Sequence, residues 1–287
     1  MTGAIIGGGI AGLAAAVALR QRGIEATVYE QAPALRELGA GIALWPNATR
    51  ALRSLGVLDA VAERSGRAEV IHILDASGHA LVRFSTARPD VPSLCVRRSH
   101  LVAALADALD TDAIRYGKTF ERATLLADGV SIRFADGTEI QADVLVGADG
   151  MRSAVRDALV EPVTPTYRGY TAWRGVGPHP GDLDGDAFEA WGDRQRFGLF
   201  GLGSGLAYWY ALSERPAARH AAADRDEVAA LYRDWHPRVA SVIDATDPDE
   251  ITRHDVYDRP LAQRWVSGRV AVVGDAAHAM TPALGQG

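Results

Sequence analysis

Apolar residues come in short runs along this chain, and the spacing within each run and the residues that close it separate strand from helix. Ala4 to Ile6 suits a buried strand, and the Ala- and Leu-rich stretch from Ile10 to Arg22 carries a helical repeat closed by Gly23. Ile24 to Tyr29 reads as a second strand ending at Glu30, and a helix is expected from near Asn47. A β pattern then takes over, with two strand-like runs flanking Asp75 to Gly78 as a hairpin. A helix around Leu101 to Leu109 comes next, then strands near Ile114, over Thr119 to Leu126 and over Val130 to Phe134, with an Asp136-Gly137 turn. Two later apolar runs, in ADVLVG and GRVAVVG, end at Gly147 and just before Asp275. Between about Tyr167 and Asp258 the stretches YRGYTAWRGV, RFGLFGL and LAYWYAL read as strands of a mostly antiparallel sheet. In the last of them Tyr208 and Tyr210 share one face and Trp209 takes the other.

Composition narrows the class. The chain has 287 residues, 48% of them apolar and 23% charged, with a net charge of −6. That is an ordinary globular composition, and it lacks the basic footprint by which nucleic-acid binders displace phosphate counterions. One cysteine, Cys95, excludes an internal disulfide and a multi-cysteine zinc site. The apolar stretch from residue 4 to residue 19 has no positive flank, and glycines interrupt it, so it reads neither as a signal peptide nor as a membrane span. A cytoplasmic protein is expected.

The chemistry begins at Gly7-x-Gly9-x-x-Gly12, set between the first strand and the first helix. One glycine permits the tight turn, one lets the backbone approach a pyrophosphate, and one lets helix pack on strand. The helix N-terminus then offers unpaired N–H groups and partial positive charge to the phosphates. Glu30 stands at close to the ~20-residue spacing of a dinucleotide fingerprint, where it accepts from ribose hydroxyls and repels a 2′-phosphate. FAD or NAD therefore fits better than NADP. Asp149-Gly150 and Asp275 stand at the carboxyl ends of two further strands, where ligands of open α/β sheets bind, although an Asp-Gly pair alone is as readily a turn. The β-rich middle is unlike a simple NAD dehydrogenase. GLGSG at 201 to 205 is no nucleophile elbow, because Leu202 holds the first glycine position, and His278 lacks a second ligand at metal spacing.

GxGxxG with Glu30, then VGADGMRSAVR, then GDAAHAMTPALGQG, in that order, resemble the single-component FAD-dependent aromatic hydroxylases with the p-hydroxybenzoate hydroxylase-like fold. GAGIALWPNATRAL, YRGYTAWRGV and AYWYAL are similar to the branch with salicylate, 3-hydroxybenzoate and urate hydroxylases. The resemblance implies an α/β fold: a Rossmann-like FAD-binding domain from residues 1–72, 94–166 and 260–287, with an inserted, mostly antiparallel β-sheet substrate domain from 73–93 and 167–259. It implies that Gly7, Gly9 and Gly12 hold the pyrophosphate, Glu30 and Gln31 the adenosine end, and Asp275 the ribityl chain. Gly41, Ala43, the backbone of Phe120, Pro282, Gly285, Gln286 and Gly287 fall where that branch touches FAD. Arg98 matches a flavin-contacting arginine, with Arg97 beside it as an alternative, and Asp149 matches a motif linked to both FAD and the nicotinamide donor.

The implied reaction uses NADH or NADPH to reduce FAD, adds O2 as a flavin C4a-hydroperoxide, and hydroxylates a small electron-rich aromatic or purine-like substrate. Arg196 and Tyr208 match substrate-orienting positions, with Arg174 a second candidate for an anionic group. The resemblance also implies further helices after Gly287, often used for homodimer formation, so a C-terminally truncated chain is expected. A flavin halogenase is disfavoured by the missing Trp-x-Trp-x-Ile-Pro signature. A catalytically silent nucleotide-binding fragment and a plain NAD dehydrogenase stay open.

Overall fold

The computed structural model describes residues 1–35, 40–179, 183, 185–217 and 225–285. In chain order the first elements are β1 (Thr2–Ile6), α1 (Ile10–Arg20), β2 (Glu25–Tyr29), β3 (Gly41–Leu44), α2 (Pro46–Ser54) and α3 (Leu58–Ala62). Next come β4 (Ser65–Asp75), β5 (Ala80–Ser85), β6 (Leu94–Arg97), α4 (Arg98–Asp107), β7 (Ile114–Arg115), β8 (Phe120–Leu125) and β9 (Val130–Phe134). After them stand β10 (Glu139–Ala142), β11 (Val144–Gly147), α5 (Ala154–Leu159), β12 (Thr166–Pro178), β13 (Gly185–Gly192), β14 (Gln195–Gly203) and β15 (Leu206–Glu214). The last are α6 (Arg225–Leu231), α7 (Pro237–Ala245), β16 (Ile251–Asp258), β17 (Val266–Ser267), β18 (Val270–Val272) and α8 (Asp275–His278). Among the described residues no helix is long and apolar enough to cross a membrane.

The chain divides into two compact units, one of Met1–Arg36, Val102–Thr166 and Tyr257–Gly287, the other of Glu37–Leu101 and Tyr167–Val256. In the first unit, β18, β11, β1, β2 and β7 lie side by side and parallel, with β17 antiparallel on the edge. Parallel strands align their carboxyl ends, so the segments that leave β1, β2, β11 and β18 emerge along one rim. The core beneath combines Ala4, Ile6, Leu145, Val270 and Val272 of this sheet with Val130, Ile132 and Phe134 of the three-stranded sheet β10-β9-β8. Tyr29 closes it with its ring centroid 4.9 Å from that of Phe134.

The second unit is built on a mixed sheet in the order β16-β12-β15-β14-β13-β4-β6-β3, with β5 paired to β4. Because β3, β4 and β6 join this sheet, residues 37–72 and 94–101 group with it. Period-2 alternation gives the sheet two different faces. Trp173, Phe197, Leu199, Trp209 and Ala211 point one way and pack under α6 and α7 through Val228, Tyr232, Val239, Val242 and Ile243. Phe200, Tyr208 and Val176 point the other way and pack with Ile71, Cys95 and the partly buried Ala43 and Trp45. Tyr210 lies on that same face, flat over Gly198, where a Cβ would overlap the tyrosine ring. Gly198→Ala is therefore expected to lower stability by about 1–3 kcal/mol, read as a fall in the thermal midpoint.

Candidate functional site

The glycine loop after β1 is held by steric necessity. Gly7 has φ +109°, and a Cβ there would overlap the carbonyl of Ala148. A Cβ on Gly12 would overlap the carbonyl oxygen of Gly7 and press on Ala148, so the start of α1 packs directly on the loop. Gly9 is the N-cap of α1, with no side chain capping it, and a Cβ there would meet nothing within 4 Å. The start of α1 is thus unobstructed at Gly9 and has no side-chain cap. The first N–H groups of a helix have no partner within it, which is what an anionic pyrophosphate needs.

Glu30 leaves β2 on the same rim. Its carboxylate accepts the Gly8 N–H at 2.6 Å and the Ala32 N–H at 2.8 Å, which fixes it against the loop, and Gln31 beside it is exposed. Asp275 opens α8 directly after Gly274, which has φ +58° and lies against Ala11 of α1. Arg156, fully buried, donates to the Ala276 carbonyl at 3.3 Å and so pins α8 from below. Gly7, Gly9, Gly12, Glu30 and Asp275 are therefore brought to one rim within one unit.

Asp149 sits there too, but its carboxylate is engaged inside the fold. It accepts the Ser153 hydroxyl and the Val155 N–H at 3.1 Å, while Ser153 caps α5 by accepting the Arg156 N–H. Asp149→Ala is expected to lower the stability of the nucleotide-free protein by about 1–2 kcal/mol, visible in thermal denaturation. A variant of unchanged stability would contradict this bracing role.

The other expected cofactor residues are distributed between the units. Pro282 begins a short 3-10 turn closed by Gly285 at φ +59°, and Gln286 and Gly287 lie outside the described residues. Phe120 opens β8 and packs partly on the first core. Gly41 lies under the ring of Tyr208, which leaves no room for a Cβ, and Ala43 pairs with Cys95 in the second unit. Of the two neighbouring arginines, Arg97 is tied to Glu250 at 3.2 Å, whereas Arg98 is exposed at the start of α4 and its N–H donates to the Ala40 carbonyl.

On the sheet face away from α6 and α7, Tyr208 is 7% exposed. Burial pushes its hydroxyl pKa up, and the neighbouring Arg174 guanidinium works against that rise. Arg174 reaches this position because it is paired with Tyr210 across β12 and β15, one alternation from the Val176–Tyr208 pair. His254 stands on its other side, its imidazole held below the usual pKa by desolvation and then by the Arg174 charge. Among the described residues no carboxylate forms an ion pair with Arg174. Glu189, on the same face, accepts instead from the Tyr210 hydroxyl and the Trp191 indole N–H. Burial, and after it the Glu189 charge, raises the Tyr210 pKa strongly.

Arg196 shares the face with Tyr208 but not the location. Tyr208 is paired with Phe200, whereas Arg196 is paired with Leu212 and Trp191, about 13 Å further along β14 at ~3.3 Å per residue. Its guanidinium lies over the Trp191 ring, 5.6 Å from the centroid. Among the described residues no group of three or more His, Cys, Asp or Glu side chains is placed to hold a metal ion. His278 packs beside Trp265, 5.4 Å between ring centroids.

The whole chain, residues 1–287, matches a family model described as the FAD binding domain. It is 39% identical over 293 residues to the aurachin C monooxygenase/isomerase of Stigmatella aurantiaca, covering 100% of this chain and 76% of the relative. It is 35% identical over 300 residues to an FAD-dependent urate hydroxylase of Klebsiella pneumoniae, covering 100% of this chain and 77% of that protein. The crystal structure of Klebsiella pneumoniae HpxO complexed with FAD and uric acid superposes with a TM-score of 0.89 at 33% identity, over 100% of this chain and 76% of that one.

Proposed function

This chain belongs to the FAD binding domain family as an FAD-dependent monooxygenase of the aromatic-hydroxylase type, and from that premise we propose that it hydroxylates a small, electron-rich aromatic or heteroaromatic anion. The observation that carries the substrate class is Arg174, which stands beside Tyr208 with no carboxylate pairing it among the described residues.

The first unit fits the cofactor. Gly7, Gly9 and Gly12 leave an open cradle at an uncapped helix start, which would take the pyrophosphate, Glu30 offers carboxylate oxygens to the ribose, and Asp275 would meet the ribityl hydroxyls. Bound FAD, reduced by NADH or NADPH, supplies the activated oxygen. This chain's own residues bind and orient. Arg174 would donate charge-assisted hydrogen bonds to a carboxylate or phenolate oxygen of the substrate. Holding that oxygen as an anion keeps the ring electron-rich, which an electrophilic oxygen transfer requires. Tyr208, kept protonated by its burial, would donate its O–H to the same oxygen. Glu189 is satisfied by Tyr210 and Trp191, and so leaves the Arg174 charge unneutralised.

The test is NADH or NADPH oxidation by the FAD-loaded protein against a panel of urate, hydroxypyridines, hydroxyquinolines and hydroxybenzoates. Anionic members are expected to stimulate oxidation and to yield a hydroxylated product, whereas neutral isosteres that work equally well would refute the substrate class.

A further inference from the structure

We propose that Tyr116 is the adenine platform of the nucleotide site. This inference rests on the reading of the first unit as an FAD-binding fold. β7 runs parallel to β2 with Val28 paired to Ile114 and Tyr29 to Arg115. The same register carried one residue further sets Tyr116 level with Glu30. The Glu30 N–H donates to the Arg115 carbonyl at 2.9 Å, as that register requires. The Glu30 carbonyl accepts from the Lys118 N–H at 2.9 Å, one residue past the regular position, so the chain bulges at Gly117 just beyond Tyr116. Side chains level with one another in a parallel pair point to the same face. Tyr29 uses the opposite face to pack on Phe134, so Tyr116 is directed to the side from which the Glu30 carboxylate reaches the glycine loop.

What Tyr116 does there is unexplained by packing. It is 39% exposed, and none of the ring contacts among the described residues involves it. The Glu30 carboxylate is close enough to act on its hydroxyl, although burial is the larger influence. Next to it Gly117, at φ +68°, has open space where a Cβ would be, and its N–H is bonded to the Ala32 carbonyl. A flat aromatic face beside a ribose-binding carboxylate, with a bare glycine at its edge, matches an adenosine whose sugar is held by Glu30 and whose base lies on the tyrosine ring. The hydroxyl is not required, since every base has a π-face.

The experiment measures binding of FAD by flavin fluorescence and of ADP by calorimetry, for the wild type, Tyr116→Ala and Tyr116→Phe. Tyr116→Ala is expected to weaken FAD and ADP by the same factor, about five- to a hundredfold for the loss of one stacked base. Tyr116→Phe is expected to bind both as the wild type does. FAD affinity unchanged in Tyr116→Ala would overturn the inference, as would weakened FAD with unchanged ADP. A wild type that binds ADP through Tyr116 but does not bind FAD would support the platform while refuting the flavoenzyme reading. Binding of neither ligand would remove both.

Discussion

Gly12→Ala is expected to reduce FAD affinity by about 100-fold or more, through displacement of helix N–H groups that each contribute ~1.5–3 kcal/mol to a charged phosphate. The reason is geometric. A methyl group at position 12 has no free volume to enter, because the Gly7 carbonyl oxygen occupies its place and the Ala148 side chain stands behind it. Backbone cannot rotate aside as a flexible side chain can, so α1 must retreat from the loop. Gly7 cannot compensate, being fixed at φ +109° against the Ala148 carbonyl. Equilibrium titration with FAD reads the loss directly. Gly9→Ala is the informative control, since a Cβ there meets no protein atom within 4 Å and only a bound pyrophosphate would resist it. Its thermal stability without nucleotide should match the wild type. Equal FAD affinity in Gly12→Ala and the wild type would remove the basis for placing the pyrophosphate in this loop.

The second large effect is expected at Arg174. Arg174→Met should raise KM for an anionic aromatic substrate by roughly 10- to 150-fold, the equivalent of one charge-assisted hydrogen bond of ~1.5–3 kcal/mol. NAD(P)H oxidation in the absence of substrate is expected to change far less than KM, because the role assigned to Arg174 is to hold the substrate's anionic oxygen. Arg174→Lys should recover part of the loss, since the charge is kept and the planar fork is not. Arg196→Met should change KM less than about threefold, as its guanidinium lies over Trp191 away from Tyr208. The reverse ranking of the two arginines would show that the substrate lies at the Trp191 end of β14.

These two sites differ in how much of them can be read from the chain. The strand, glycine loop, helix and Glu30 at the start form one continuous local motif, so its spacing carries its geometry. The carboxyl-end positions of Asp149 and Asp275 are also local, because a short apolar strand announces where it ends. What Asp149 does there is a different matter. Ser153 at the N-cap of α5 and the Val155 N–H take both of its oxygens, a partnership that depends on how the turn at Gly150, φ +81°, folds back.

In the second unit, alternation along β15 places Tyr208 and Tyr210 on one face and Trp209 on the other, as observed. Alternation does not say how far along a neighbouring strand a residue lies. The register of β14 with β15 sets Arg196 and Tyr208 at different levels of one face, and the register of β12 with β15 sets Arg174, already a candidate in the sequence, beside Tyr208. Glu189 and Tyr116 are invisible in the sequence for the same reason, since each acts through strands distant along the chain. The helices α6 and α7 are more accessible. Val239, Val242 and Ile243 recur at helical spacing behind Pro237, with His236 as the cap, although the β-rich stretches on either side mask that signal.

The most direct test is a visible absorption titration of the purified chain with FAD. Saturable binding of one FAD per chain, with a resolved and shifted flavin band, is the result expected from the cradle of Gly7, Gly9 and Gly12 with Glu30. A spectrum that stays that of free FAD, with the protein folded and in excess, would contradict it.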